Sequence, residues 1–127
     1  MKGFRMAKKI LVIEDNPDMV KLLELRLTSQ GYEVVKAFGG IEGLRKAESE
    51  EPDLITLDIE LPEMNGFSVC SLLKANDRFR SIPVIMLTGR KEQADRIFDE
   101  DYKPDAYITK PFNAEELLGK IKELLKE

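Results

Sequence analysis

The order of apolar and polar positions along the chain predicts strands that alternate with helices. A short β-branched apolar run without polar interruption is typical of a buried parallel strand, whereas apolar residues three and four apart indicate one face of a helix. Glu33 and Lys36 interrupt the second of the runs that predict strands, as expected of an edge strand. These five runs are residues 10–13, 32–37, 54–57, 84–87 and 106–108.

Helical spacing and helix-end signals predict a helix after each strand. Asn16 and Pro17 predict the start of the first helix, because asparagine caps helices and proline fits the first turn. The fourth predicted helix, residues 91–101, has a narrow apolar stripe and is expected to be the least securely packed. The five predicted apolar faces are Met19, Leu22, Leu23 and Leu27; Ile41, Leu44 and Ala47; Phe67, Cys70 and Leu73; Ala94, Ile97 and Phe98; and, after a cap formed by Asn113 and Glu116, Leu117, Leu118, Ile121, Leu124 and Leu125.

Five strands that alternate with helices predict an α/β fold, in which helices cover both faces of a parallel sheet. Ligands of such sheets bind beyond the carboxyl ends of the strands. Each polar residue at these ends also has an ordinary explanation as a helix cap, a first-turn acid or a solvated charge, so the prediction of a site depends on the whole set. Four of the five strands end in such residues, namely Glu14 and Asp15, Asp58, Thr88, and Lys110.

Three carboxylates at one sheet edge repel one another unless a cation or a proton intervenes. The chain has no histidine and one cysteine, so a metal would have to be held by oxygen atoms. Such ligands suit Mg²⁺, which binds one or two carboxylates together with water and phosphate oxygens. An aspartate can attack phosphorus to form an acyl phosphate, and Thr88 and Lys110 could then contact the phosphoryl oxygens. Spacing alone leaves open which carboxylate is the nucleophile.

Composition narrows the classes of function. The 127 residues correspond to about one domain, and the net charge of −4, from 20 basic and 24 acidic residues, argues against direct binding to nucleic acid. Every apolar run is far shorter than the ~20 residues of a membrane-spanning helix. A single cysteine and a basic start without the apolar core of a secretory signal favour a reducing cytoplasm. Cys70 is predicted to be a small buried apolar residue without a function of its own.

Four segments at the predicted strand ends resemble the receiver domain of two-component response regulators, of the single-domain chemotaxis-regulator kind. The resemblance covers about residues 9–125 and implies a flavodoxin-like doubly wound fold with strand order 2-1-3-4-5. We therefore expect an N-terminal extension over residues 1–8 and a receiver domain over residues 9–127. The matching segments are residues 10–16; Leu57 and Asp58 with Leu61, Pro62, Met64, Asn65 and Gly66; residues 83–89; and residues 107–112.

The resemblance assigns roles to the acids at the strand ends. It implies that Asp58 is the phosphoacceptor and that Asp15 binds Mg²⁺ or Mn²⁺ directly. Glu14 would act on the metal mostly through water, and the backbone carbonyl of Glu60 would supply a further ligand. A cis peptide bond is expected between Lys110 and Pro111, which suits a tight turn after a strand.

The resemblance also implies how the site responds to phosphate. Thr88 would bind the phosphoryl group and move on activation, Lys110 would pair with Asp58 or its phosphate, and Tyr107 would swing inward. Glu60 and Arg90, two residues after the acceptor and two after the threonine, would border the path of attacking water. We expect their opposite charges to pair and to modulate the lifetime of the phosphate.

A phosphorylation-dependent signalling switch is the function that the resemblance implies, with no activity beyond its own phosphorylation and dephosphorylation. A histidine kinase or a phosphotransfer protein would donate the phosphoryl group. The fourth helix, fifth strand and fifth helix would bind a downstream protein target or an output domain, and a phosphorylation-dependent homodimer is left open. Two alternatives are a degenerate receiver that only docks partners, and a small aspartate-nucleophile phosphohydrolase of the haloacid dehalogenase kind, whose pattern has an aspartate where this chain has Glu60.

Overall fold

Five parallel strands form one sheet in the computed structural model, which describes residues 7–89 and 102–127. The order across the sheet is β2-β1-β3-β4-β5, so the predicted α/β class, strand order and edge position of the second strand are confirmed. The strands are β1 (Lys9–Ile13), β2 (Glu33–Ala37), β3 (Leu54–Asp58), β4 (Val84–Thr88) and β5 (Ala106–Thr109).

Asparagine caps begin three of the helices in the described part of the chain. The Oδ1 atom of Asn16 accepts hydrogen bonds from the backbone N–H groups of Asp18 and Met19, at 2.9 and 3.2 Å.

The predicted fourth helix lies outside the described residues, and no described helix is long and apolar enough to cross a membrane. The helices are α1 (Pro17–Ser29), α2 (Gly40–Glu50), α3 (Gly66–Ala75) and α4 (Ala114–Leu125), the last of which was predicted as the fifth.

Two apolar layers form, one on each face of the sheet, because successive strand residues point to opposite faces. Leu22, predicted to face inward, is 47% exposed, since Val20, Leu23 and Leu27 form the buried stripe of α1. One layer lies under α1 and α4 and includes Ile10, Val12, Leu27, Ile85, Leu117 and Ile121. The other lies under α2 and α3 and includes Leu11, Ile13, Ala47, Cys70, Leu73 and Met86.

The strand register aligns the carboxyl ends of the inner strands. Ile13 in β1 is paired with Leu57 in β3, and Asp58 is paired with Leu87 in β4. The backbone N–H of Lys110 donates to the carbonyl of Thr88 at 2.7 Å, which continues the alignment beyond β5. The polar strand-end residues therefore lie along one edge of the sheet.

Thr56, in the middle of β3, carries a buried hydroxyl that has no hydrogen-bond partner among the described residues. Its neighbours in the register, Val12 and Ile85, are apolar. Because valine has the same shape and no unsatisfied polar group, we expect Thr56→Val to raise the free energy of unfolding by about 1 kcal/mol. Urea denaturation of both proteins at one pH measures the difference, and a less stable variant would contradict this expectation.

Candidate functional site

Three carboxylates meet at the carboxyl edge of β1 and β3. Glu14, Asp15 and Asp58 each offer one ligand oxygen, and these oxygens lie within 4.8 Å of one another. Glu14 and Asp58 are only 1% and 4% exposed, whereas Asp15 is exposed to solvent. The predicted meeting of these acids is confirmed, and Asp15 lies on the open side of the cluster.

The loop after β3 fixes the position of Asp58. The backbone N–H of Glu60 donates to Asp58 Oδ1 at 3.3 Å, and the N–H of Gly66 donates to the carbonyl of Ile59 at 2.8 Å. A Cβ atom at position 66 would overlap the carbonyl oxygen of Asp58 and lie 2.8 Å from the Cα of Ile59. Glycine is therefore required here, because the first turn of α3 lies directly against the backbone of Asp58.

Lys110 faces the acidic cluster from the end of β5. Its Nζ lies 3.0 Å from Asp58 Oδ1 and 3.6 Å from Glu14 Oε1. The peptide bond between Lys110 and Pro111 is cis, as the resemblance implied. Burial lowers the pKa of Lys110, but the hydrogen bond and charge of Asp58 and the charge of Glu14 outweigh burial, so the net pKa is raised. Lys110 therefore stays protonated and offsets part of the negative charge.

Glu14 is the most strongly perturbed acid of the cluster. Its Oε2 accepts from the N–H of Asn16 at 3.1 Å, while its buried Oε1 has no hydrogen-bond partner within the described ranges. Burial raises the pKa of Glu14 to about 7; the N–H of Asn16 and the charge of Lys110 oppose the rise, and Asp58 adds to it. The site thus favours a proton or a cation beside Glu14.

In the metal-free protein, ionisation of Glu14 destabilises the folded state. Because its pKa is about 7 in the folded protein and 4.5 ordinarily, the folded state binds more protons between these values, and stability falls as pH rises through them. Glu14→Gln cannot ionise, so its free energy of unfolding at pH 8 with EDTA should exceed the wild-type value by on the order of 2 kcal/mol. Urea denaturation from pH 5 to 8 should show this gap shrinking at the acidic end; a variant less stable than wild type at pH 8 would disprove the assignment.

Thr88 and Tyr107 lie on neighbouring strands of the same sheet. Thr88 is buried at the end of β4 and is paired in register with Thr109. Tyr107 is half-buried in β5 and packs against the apolar layer under α2 and α3. Their roles in phosphate binding and switching stay predictions. Arg90 lies outside the described residues, so its predicted ion pair with Glu60, whose side chain is exposed, also stays a prediction.

A buried charge outside the acidic cluster, that of Lys74, is not predicted by any sequence pattern. Lys74 in α3 is 5% exposed, and its Nζ lies 2.6 Å from Asp105 Oδ2. The two residues are 31 positions apart, so no local spacing signals their contact. Cys70, one helical turn earlier in α3, is fully buried as predicted, and burial raises its pKa to about 12.

The fold is a doubly wound parallel sheet, and three carboxylates face a lysine at its carboxyl edge. These features define a class of α/β domain whose acidic site offers only oxygen atoms as ligands. The sequence model of one family with this architecture, described as the response regulator receiver domain, matches residues 10–122. The chain belongs to this family of two-component signalling modules.

Curated relatives match nearly all of the chain. The alkaline phosphatase synthesis transcriptional regulatory protein PhoP of Bacillus subtilis is 40% identical over 121 residues, which are 95% of this chain and 50% of PhoP. The DNA-binding dual master transcriptional regulator RpaA of Synechocystis is 42% identical over 118 residues, which are 93% of this chain and 49% of RpaA. The chain spans about half the length of these relatives.

Solved structures of receiver domains share the fold. The receiver domain of the sensor histidine kinase PA1611 from Pseudomonas aeruginosa, with a magnesium ion in its active site cleft, has a TM-score of 0.85 and 32% identity, covering 95% of this chain and 99% of that one. The response regulator TrrA from Thermotoga maritima, in complex with Mg²⁺ and BeF, has a TM-score of 0.82 and 34% identity, covering 92% and 98%. Receiver domains bind Mg²⁺ at an acidic site, and this chain has such a cluster.

Proposed function

We propose that the chain is a phosphorylation-dependent switch in which Asp58 accepts a phosphoryl group from the phosphohistidine of a histidine kinase or a phosphotransfer protein. The observation that carries the proposal is the position of Asp58, a buried carboxylate with oxygens of two further acids within 4.8 Å and the Nζ of Lys110 at 3.0 Å. A nucleophile, oxygen ligands for a cation and a fixed ammonium group are thereby within reach of one phosphoryl group.

The residues of the cluster fit a divalent cation such as Mg²⁺ or Mn²⁺. All the donors are oxygen atoms, and the buried Oε1 of Glu14 has no hydrogen-bond partner in the described part of the chain. We assign the direct ligands to Asp15, Asp58 and the backbone carbonyl of Glu60, with Glu14 acting mostly through water. When bound, the cation neutralises charge on the oxygens of the transferring phosphoryl group.

In the proposed reaction, a carboxylate oxygen of Asp58 forms a bond to phosphorus while the phosphorus–nitrogen bond of the donor breaks. The imidazole nitrogen leaves with the electron pair and takes a proton from solvent. Lys110 then directs its ammonium hydrogens at a phosphoryl oxygen, and the hydroxyl of Thr88 donates to another. Hydrolysis of the acyl phosphate later restores Asp58 and releases inorganic phosphate.

Phosphorylation adds roughly two negative charges where β3, β4 and β5 end, which is enough to reorder contacts of Thr88 and Lys110. We infer that Tyr107 and the surface of β5 and α4 respond and change the binding of a downstream protein or an output domain. The resemblance implied that the predicted fourth helix, residues 91–101, also contributes to partner binding, and these residues lie outside the described part of the chain. Relatives named as transcriptional regulators, about twice as long as this chain, support an output domain as partner. Homodimerisation, a cytoplasmic location and the boundary at residues 8 and 9 stay predictions.

The proposal is tested by intact mass spectrometry after incubation with acetyl phosphate and Mg²⁺. We expect one base-labile phosphoryl adduct on the wild type, and none on Asp58→Asn or in EDTA. Asp77→Asn is the matched control, because Asp77 is an exposed aspartate outside the cluster, and it should be phosphorylated like the wild type. A folded wild type without an adduct would favour the docking module, and sustained phosphate release from varied phosphomonoesters would favour the hydrolase.

A further inference from the structure

An ion pair between a buried lysine, Lys74, and a partly exposed aspartate, Asp105, joins α3 to the start of β5. The ammonium group of Lys74 donates to the carbonyls of Arg80 and Ile82, at 3.2 and 2.9 Å, and to Asp105 Oδ2 at 2.6 Å. A lysine ammonium has three hydrogens, so these three acceptors satisfy it. Because Lys74 is buried, its charge depends on these partners, and the end of α3, the loop before β4 and the residue before β5 are held together.

Asp105 binds the start of β4 at two points. Its Oδ2 accepts from the backbone N–H of Val84 at 2.8 Å, and its own N–H donates to the Val84 carbonyl at 2.9 Å. The same oxygen therefore joins Lys74 to the first residue of β4. Side chain and backbone together fix how residue 105 is aligned against residue 84.

β5 has less apolar support for its register than the inner strands. It is four residues long, pairs with β4 as its one neighbour among the described strands, and buries Ile108 fully. Every residue of β3 and β4, by contrast, is buried. Weak burial specifies register weakly, and a slip of one residue moves a strand by ~3.3 Å and exchanges the faces of its side chains. Such a slip is as large as the 3.0 Å separation between Lys110 and Asp58.

We propose that Lys74 and Asp105 are positioning residues for the phosphoryl-transfer site: they hold β5 in the register that places Lys110 beside Asp58. This inference rests on the proposed function of Asp58. The acids of the cluster come from β1 and β3, so the ion pair positions Lys110 and Tyr107 without positioning the metal ligands.

The test compares Lys74→Met and Asp105→Ala with two reference variants. Asp105→Asn keeps an oxygen that can accept from Val84 and Lys74. Val20→Ala removes buried apolar contacts of α1, a helix that packs against β2 at the opposite edge of the sheet from β5. Three quantities are measured under conditions in which all the proteins are folded. They are the rate of adduct formation with acetyl phosphate, the Mg²⁺ affinity by calorimetry, and amide hydrogen exchange by NMR.

We expect adduct formation by Lys74→Met and Asp105→Ala to slow about tenfold or more, since small misplacements of a reacting group are costly. The rate of adduct formation should fall less in Asp105→Asn, and Val20→Ala should form the adduct at the wild-type rate. Mg²⁺ affinity should stay within about twofold, because the metal ligands lie on other strands. The amide of Lys110, bonded to Thr88, should exchange faster, while that of Glu14, bonded to Ala37, should not.

Unchanged adduct formation and unchanged exchange of the Lys110 amide would overturn the positioning role, as would equal losses in Val20→Ala. If Lys74→Met does not fold, Asp105→Asn and Asp105→Ala decide the question. If the wild type forms no adduct, the proposed function of Asp58 fails, and the exchange of the Lys110 amide still decides whether the ion pair holds β5.

Discussion

Gly66→Ala is expected to slow phosphorylation of Asp58 about 100-fold or more, because a displaced acceptor loses its alignment with the donor. The added methyl group would overlap the carbonyl oxygen of Asp58, and the three atoms nearest to it are all backbone atoms of Asp58 and Ile59, which cannot rotate away. The backbone around Asp58 or the start of α3 must therefore move. We also expect the free energy of unfolding to fall by about 1–3 kcal/mol, as in other overpacked sites.

Gly119→Ala is the matched control for this substitution. Gly119 lies in α4, and a Cβ atom there would meet nothing within 4 Å, so the change adds the same methyl group without a collision. Alanine is the better helix former by about 1 kcal/mol, and this control should be slightly more stable than the wild type and equally phosphorylated. Wild-type phosphorylation of a folded Gly66→Ala protein would show that the packing against Asp58 does not position the acceptor.

Lys110→Met is expected to slow adduct formation about 100-fold, comparable to removal of one group that stabilises developing charge in other sites. Methionine retains much of the length of lysine but removes the ammonium group that lies 3.0 Å from Asp58. Without this positive charge, the three carboxylates repel one another more strongly and attract a cation more strongly. Mg²⁺ should therefore bind at least as tightly as in the wild type. Phosphorylation by mass spectrometry and Mg²⁺ affinity by calorimetry separate the two effects.

Lys36→Met serves as the control for Lys110→Met, because Lys36 forms a partly exposed ion pair with Glu24 and neither residue belongs to the acidic cluster. It should be phosphorylated at the wild-type rate, as surface ion pairs contribute little. Equal rates for Lys110→Met and the wild type would mean that Lys110 takes no part in the transfer. A loss of Mg²⁺ binding in Lys110→Met would mean that the lysine supports the metal ligands rather than the phosphoryl group.

Much of the fold was predictable, because its strands carry strong local signals. Uninterrupted β-branched runs correspond to buried strands, and asparagine caps mark helix starts at Asn16 and Asn113, where the structure shows cap hydrogen bonds. The strand order came from the resemblance rather than from periodicity. The prediction that Leu22 faces inward was wrong. More residues of α1 are apolar than the helix buries, and the buried ones are Val20, Leu23 and Leu27.

The composition of the candidate site was predictable, whereas its electrostatics depended on three-dimensional contacts. The rule that parallel strands share one carboxyl edge was enough to bring Glu14, Asp15 and Asp58 together. The raised pKa of Glu14 results from burial, which no spacing specifies. The ion pair of Lys74 and Asp105 escaped prediction for a similar reason, because a lysine at the end of a helix ordinarily extends into solvent.

The most direct test of the central claim is a crystal structure of the protein with Mg²⁺ and beryllofluoride, a mimic of a phosphoryl group. We predict beryllium bonded to a carboxylate oxygen of Asp58, a metal ion held by Asp15 and Asp58, and fluorides contacted by Lys110 and Thr88. A structure from saturating beryllofluoride in which Asp58 is unmodified, or in which the group is bonded to another residue, would contradict Asp58 as the acceptor.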